Sequence, residues 1–531
     1  MLKRRVWIPL AGVIFAVTLA AVALFFHTLL KVDFLIGDYL ALVVAIFAFI
    51  VYLSGVLLFF GMRKKPSSLR RVRRIIGILL CVVVTVGSLI GAYLLNGVSR
   101  AKETVTTVET NRVAAVIGIY VKKDDAAQTL ADTAQYPYGV LFSGNEKIYT
   151  NYILGEIKEQ IGTEVSANVY PGISDLAGAL RDESVKAIAV NKVYLSLLSE
   201  SENYRSFSDE IRLIDEIPVS SAVTLDDVQL FIKPADQPAG HESAPKSASV
   251  REETPLVIDG AIIFYISGID KHDGAEAANN RSDVNILMAV NPTTRQILFL
   301  NTPRDYFVVN PAHGAEDKLT HCGIDGVSNS IAALEGLYNV QIDKYARVNF
   351  DGFVRFIDAI GGITLDNPTA FWNNFHTDYF SDGTITMDGR EALIYVRERE
   401  AFGDGDLARG RNQIRVLIAI VEQMKKSGAS ILLNYNSILN SMANSFETDL
   451  TSDQISDLVK IASKNLTDWD IKSYSVSGYS GLRVTATGGS EPLFIVFPKE
   501  DTVVFASDLL DMIENNEIIT DEILANAPSP Y

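Results

Sequence analysis

Residues Val284–Asp305 read VNILMAVNPTTRQILFLNTPRD. Two apolar runs, Val284–Val290 and Gln296–Leu300, flank NPTTR, in which proline fixes φ and the asparagine and threonines bond readily to nearby backbone. Runs of this length joined by so tight a turn predict two antiparallel strands of a hairpin. The charges stand at the strand ends. Arg281 and Asp283 come just before the first strand, and Arg304 and Asp305 just after the second. Strand ends are where sheets with helices packed on them commonly gather ligand contacts.

Working outward, Ala261–Ser267, Ala346–Phe350 and Phe494–Phe497 have strand composition. Asn329–Leu337, Phe353–Ile360, Arg390–Val396, Arg409–Met424, Ser452–Ser463 and Phe505–Ile513 have helical spacing of apolar residues. This mixture predicts an α/β catalytic domain over 256–520. Residues 234–255, rich in Pro, Ala, Ser and charge, read as a flexible linker. Before it, strands at Ala114–Val121, Tyr138–Ser143, Ser166–Pro171 and Ala187–Val190 alternate with helices at Glu146–Ile161 and Ile173–Arg181, which predicts a small α/β accessory domain over 99–233. No phosphate loop or metal cluster is legible in it.

Residues 1–98 have another character. Val6–Leu30, Tyr39–Met62 and Ile75–Leu95 are each long enough to cross a bilayer, which takes roughly 20 apolar residues. Lys3, Arg4 and Arg5 precede the first span, and RKKPSSLRRVRR joins the second to the third; the loop between the first two carries only Lys31 with two aspartates. The positive-inside rule predicts a cytoplasmic N-terminus and an extracytoplasmic chain after about residue 98. The formal net charge is −17, and much of the basic complement sits in those flanks, so the outer part is acidic and a nucleic-acid partner is disfavoured. The two cysteines, Cys81 in the third span and Cys322 far beyond it, cannot pair, as in an envelope that does not rely on disulfides.

The remaining charges fall into motifs. Asp270 ends SGID, Arg397 and Arg399 stand in YVRERE, and Asp406, Arg409, Arg411 and Gln413 stand in DGDLARGRNQ. If YVRERE is extended, Arg397 and Arg399 point to one side; on the helix after it, Arg409 and Gln413 share a face. Arginine forks match phosphate oxygens, and carboxylates from separate loops can hold Mg²⁺. Taken pair by pair, the same residues also suit structural salt bridges.

The motifs together tip that balance. SGID, RSDVN, NPTTRQILFLNTPRD, DGFVRFIDAIGG (Asp351–Gly362), DGREALIYVRER and GDLARGRNQ occur in one order from Leu256 to about Val421. In this the chain resembles the LytR–CpsA–Psr family, and its three spans and accessory domain resemble the capsule-type branch. The resemblance implies an α-β-α catalytic domain. It implies a transferase that moves a glycopolymer such as capsule or teichoic acid from a polyprenyl-pyrophosphate carrier to cell-wall peptidoglycan, with Mg²⁺ at the pyrophosphate. Carried over, Asp270 and Asp283 bind the metal, and Arg281, Arg304, Arg397, Arg399, Arg409 and Gln413 surround the pyrophosphate. Asp305 orients Arg304, and Asp406 either orients arginines or takes a proton. A lipid pyrophosphatase, or a membrane sensor acting through the basic loop, are the alternatives. The chain departs from the family at Asn412, where many members carry arginine. Lys318 could touch phosphate; His321, Cys322 and Trp372 are expected to be structural.

Overall fold

The structure is a computed structural model. It describes residues 4–32, 37–59, 68–106, 113–232, 260–269, 280–403, 405–427, 446–451, 453–455, 457–458 and 469–528. Asp270, the linker at 234–255 and most of the helix expected at Ser452–Ser463 lie outside these.

One unit consists mainly of three helices, α1 (Arg4–Val32), α2 (Gly37–Phe59) and α3 (Ser68–Thr106). Within them Ile8–Lys31, Leu40–Phe59 and Val72–Asn96 are long and apolar enough to cross a membrane. Phe49 and Tyr93 are mostly exposed on their outer surface, which suits lipid and not water. Gly91 lets α1 and α3 approach closely, since a Cβ there would lie 2.7 Å from the Phe25 ring. Helix α3 continues past residue 98 to Thr106, so the boundary drawn by hydropathy falls inside a helix whose last turns are polar.

The other unit holds two large sheets and several two-stranded ones. In the accessory domain, β1 (Val113–Lys122), β2 (Tyr138–Leu141), β3 (Ala167–Tyr170), β4 (Ala187–Asn191) and β5 (Ile211–Ser220) form one sheet in the order β3-β2-β4-β1-β5. Alternation along the strands serves two faces. Ile117, Ile119 and Val140 pack on α4 (Glu146–Ile161), whereas Tyr120, Leu141 and Ile188 pack on α5 (Ile173–Arg181) and α6 (Lys192–Leu198).

The second sheet has six strands. The expected hairpin is present as β7 (Ser282–Asn291) and β8 (Gln296–Asn301), and β6 (Ile262–Ile269) pairs antiparallel with the other side of β7. Lys344–Asn349 and Asp470–Ser475 add parallel strands on either side, and Phe446–Thr448 closes one edge. One face, with Tyr265, Leu287 and Leu300, packs on helices Val327–Tyr338 and Glu500–Glu514. The other, with Ile286 and Phe299, meets Ile414, Leu417, Ile418 and Val421 of Asp406–Ser427. This is the predicted three-layer α-β-α arrangement. It extends past residue 520, where Gln296 exchanges two hydrogen bonds with the Ile519 backbone ahead of helix Asp521–Ala525.

YVRERE is not extended. Asp388 and Glu391 form a capping box that starts helix Gly389–Arg397, and the buried Ala392 and Tyr395 hold its inner face, so helical geometry runs through Arg397. Glu398 then turns the chain. Arg397 and Arg399 therefore reach the same space from a helix end and a turn, not from one side of a strand.

Candidate functional site

A cavity of about 830 Å³ lies on the face of the six-stranded sheet that carries Ile286, beneath helix Asp406–Ser427. Its walls are apolar: Ile266, Val284 and Ile286 from the sheet, Leu393, Val396, Val416 and Leu417 from helices. Its other end is ionic. Because β7 and β8 run antiparallel, the residues around the start of the first and just after the second arrive at the same end of the sheet. Arg281, Asp283, Arg304 and Asp305 all line the cavity there, joined by Lys318, Arg397, Arg399, Arg409 and Gln413. The shape suits a ligand with an anionic head and an apolar tail.

Arg304 is the centre of the ionic end. Its Nη1 donates to Asp283 Oδ1 at 2.6 Å, and Nε lies 3.6 Å from Asp305 Oδ1. Burial works to lower this guanidinium's pKa, but Asp283, Asp305, Glu200 and Asp406 raise it, so it stays charged. Neither Arg304 Nε nor Asp305 Oδ1 makes a hydrogen bond among the described residues. Asp305 thus sits beside Arg304 as expected, although the stronger bond is with Asp283. Lys318 is almost wholly buried, 3.3 Å from Asp305.

Arg409 is ion-paired with Asp406 one helical turn earlier. Burial pushes the Asp406 carboxyl up, opposed by Arg409. Asp406 is not among the cavity-lining residues, which places it behind Arg409. The Arg397 guanidinium lies 4.2 Å from the Phe350 ring centroid, a cation–π contact that fixes its direction. Glu398 holds the turn carrying Arg399: Oε1 accepts from the backbone amides of Arg399, Glu400 and Ala401, and Oε2 from that of Asn374.

Mg²⁺ favours hard oxygen ligands and commonly takes one or two carboxylates, with phosphate and water supplying the rest. Asp283 fits as one such ligand. It lines the cavity and its Oδ1 takes bonds from Arg304 and from Thr320 at 3.3 Å. No group of three His, Cys, Asp or Glu able to hold a metal occurs among the described residues.

Asn412 is buried and turned from the cavity. Its Oδ1 accepts from Arg415 at 2.7 Å and its amide reaches the Tyr395 carbonyl, so it ties two helices together. Gln413, one residue on, lines the cavity. His321 is sealed in the core between Asp317 at 2.7 Å and Thr487 at 2.8 Å, away from the cavity lining. Cys322 is fully buried, and burial raises its thiol. Trp372 packs on Tyr379 and is absent from the lining; the neighbouring Phe375, 83% exposed, stands at the cavity rim.

One site residue escaped sequence reasoning altogether. Glu200, in the turn after α6 of the accessory domain, lines the same cavity and meets Arg281 and Lys318. SESEN, the stretch around it, looks like a solvated turn, and contact over more than eighty residues leaves no local pattern.

The chain matches the model of the LytR_cpsA_psr family over residues 232–489. It is 33% identical over 224 residues to the polyisoprenyl-teichoic acid–peptidoglycan teichoic acid transferase TagU of Oceanobacillus iheyensis, covering 40% of this chain and 68% of that one. It is 29% identical over 236 residues to the protein of that name from Bacillus subtilis, covering 44% and 75%. Among solved structures, B. subtilis TagV is similar at 25% identity and a TM-score of 0.41, over 49% of this chain and 99% of that one. A three-layer α/β domain with an arginine-lined cavity at the strand ends defines the class. This chain belongs to the LytR–CpsA–Psr family.

Proposed function

We propose that this protein is a membrane-anchored, extracytoplasmic transferase that moves a glycopolymer from a polyprenyl-pyrophosphate carrier to cell-wall peptidoglycan. One observation carries the reading: an apolar cavity ends in Arg281, Arg304, Lys318, Arg397, Arg399 and Arg409. The prenyl tail would lie among Ile266, Ile286 and Leu417, and the pyrophosphate among the cations. The relatives' names, which describe polyisoprenyl-linked teichoic acid and peptidoglycan, support the same donor and acceptor classes.

In the reaction, an acceptor hydroxyl oxygen attacks the phosphorus that bears the glycan. The new O–P bond forms as the phosphoanhydride P–O bond breaks, the polyprenyl phosphate leaves, and the hydroxyl proton passes to base. Arg304, Arg397, Arg399 and Arg409 stabilise the negative charge that grows on the leaving phosphate. Gln413 adds a neutral donor. Asp406 acts through Arg409, consistent with their ion pair, and Asp305 through Arg304 and Lys318. Asp283, with Asp270, would hold Mg²⁺, whose chemistry is neutralisation of pyrophosphate charge.

The full chain in lipid nanodiscs, given a prenyl-pyrophosphate-linked glycan and peptidoglycan strands, should form polymer-linked peptidoglycan. Chelation with EDTA should suppress this and added Mg²⁺ restore it. Release of free glycan without linkage would make the protein a hydrolase instead. The extracytoplasmic placement rests on the basic residues beside the spans; a reporter fused after residue 528 should be active only outside the membrane.

A further inference from the structure

Glu200 comes from outside residues 232–489 and yet occupies the phosphate end of the cavity. Its Oε1 accepts from Arg281 Nη1 at 2.7 Å and lies 3.8 Å from Arg304 Nη2. Its Oε2 accepts from Lys318 Nζ at 2.6 Å. Burial would raise this carboxyl, but His321, Lys318 and Arg281 outweigh it and hold the group at about 2, so it is charged at any ordinary pH.

The placement is built. Ser201 Oγ and Asn203 Nδ2, in the same turn, donate to Glu491 of strand Gly489–Pro498 at 3.4 and 3.0 Å. Gly172 meets Gly489 so closely that a Cβ on Gly172 would stand 2.2 Å from the Gly489 Cα. Asn145 at the start of α4 donates two hydrogen bonds to Asp325, from its backbone amide and its side-chain amide. The accessory domain is therefore held against the catalytic domain at three places, and Glu200 projects from the docked face.

A carboxylate whose two oxygens each take a cation has the arrangement of two phosphate oxygens. We propose that Glu200 is an internal competitor for the donor: it occupies Arg281 and Lys318 until a pyrophosphate displaces it, and so sets the affinity of this protein for its donor. The proposal rests on the phosphate site assigned above. Pyrophosphate prevails because it carries more charge and more acceptor oxygens. The Glu200 side chain is 18% exposed and lines the cavity, and on this proposal it turns into that opening when displaced. The accessory domain thereby acts as a threshold on donor binding.

The test uses the full chain in nanodiscs at fixed Mg²⁺, with farnesyl pyrophosphate as the probe and calorimetry as the readout. Glu200→Gln should bind it about tenfold more tightly than the parent, the size expected when a charge-assisted bond no longer competes. Glu200→Asp, charged but one methylene shorter, should gain less. Adding Arg281→Ala should cancel most of the gain. Folding is checked by thermal unfolding, and Lys318 keeps Asp305 as a partner in each variant. Unchanged or weaker binding by Glu200→Gln overturns the proposal; weaker binding would make Glu200 a residue that positions the cations. Arg304→Ala separates the two levels: if it binds the probe as well as the parent does, the phosphate site itself is wrong, whatever Glu200 does.

Discussion

Asp317 and Lys318 are neighbours on the short strand Ala315–Lys318, and they belong to two different ionic clusters. Lys318 joins Arg281, Arg304, Glu200, Asp283 and Asp305 at the cavity. Asp317 points the opposite way, as successive strand residues do, into a sealed cluster with His321 and Thr487, near His313, Asp325 and Glu146. Both are built on largely buried carboxylates, partnered by arginines and a lysine at the cavity and by histidines in the sealed cluster. In the sealed cluster each carboxylate is satisfied from within: His313 Nε2 lies 2.9 Å from Asp325 Oδ2, and Asp325 Oδ1 accepts from the Asn145 backbone. Both side chains are 2% exposed. At the cavity the guanidiniums and carboxylates are still reachable, with apolar walls beside them. A largely buried, paired carboxylate by itself thus fails to separate a ligand site from a latch between domains. Access to a cavity separates them.

Substitutions can break this comparison or sharpen it. The largest effect is expected at the open cluster. Arg304→Ala should lower transfer by at least about 100-fold, the scale for removing a charged stabiliser of a growing anion, while thermal unfolding shifts little because Asp283 keeps Thr320 and Asp305 keeps Lys318. A large loss of stability with transfer preserved would reverse the two assignments.

The sealed cluster should answer through stability and pH. Burial, and then the charge of Asp325, raise the Glu146 carboxyl from 4.5 to about 8. The unfolded chain ionises near the lower value and the folded chain near the upper, so this group's contribution is full below about 4.5 and is lost as pH rises to about 8. Glu146→Gln, neutral throughout, should raise the Tm by several degrees at pH 7.5 and by almost nothing at pH 4.5. A pH-independent shift would mean that Glu146 is not buried as a neutral acid.

The smallest effect tests Asn412, which adjoins the open cluster in sequence and not in space. Asn412→Ala should cost about 1 kcal/mol of stability, the worth of an ordinary hydrogen bond, with farnesyl pyrophosphate affinity unchanged. A loss of affinity would return Asn412 to the site.

Much of this was legible beforehand, for identifiable reasons. The hairpin around NPTTR, helices Glu146–Ile161 and Ile173–Arg181, and the three apolar helices follow from periodicity and length, which are local. Arg281, Asp283, Arg304 and Asp305 were found because antiparallel strands bring their flanks together. YVRERE misled because a run of alternating charge looks extended, while the capping box ahead of it governs the helix. DKLTHCG offered Lys318 as a phosphate contact and His321 as structural, but that both would be buried depended on the segments that lie over them.

The sequence by itself left strands Ile211–Ser220 and Asp470–Ser475 unread, but determined the three apolar helices, the hairpin around NPTTR, helices such as Glu146–Ile161 and Ile173–Arg181, and the cations that cluster in the family's motifs. These depend on spacing within a few residues and on the chemistry of single side chains. Tertiary structure alone decided that Asn412 faces inward, that His321 is sealed, and that Glu200 from another domain stands among the arginines. Those outcomes depend on contacts between segments remote in the chain, where an isolated glutamate in a polar turn carries no mark of the cations it will meet.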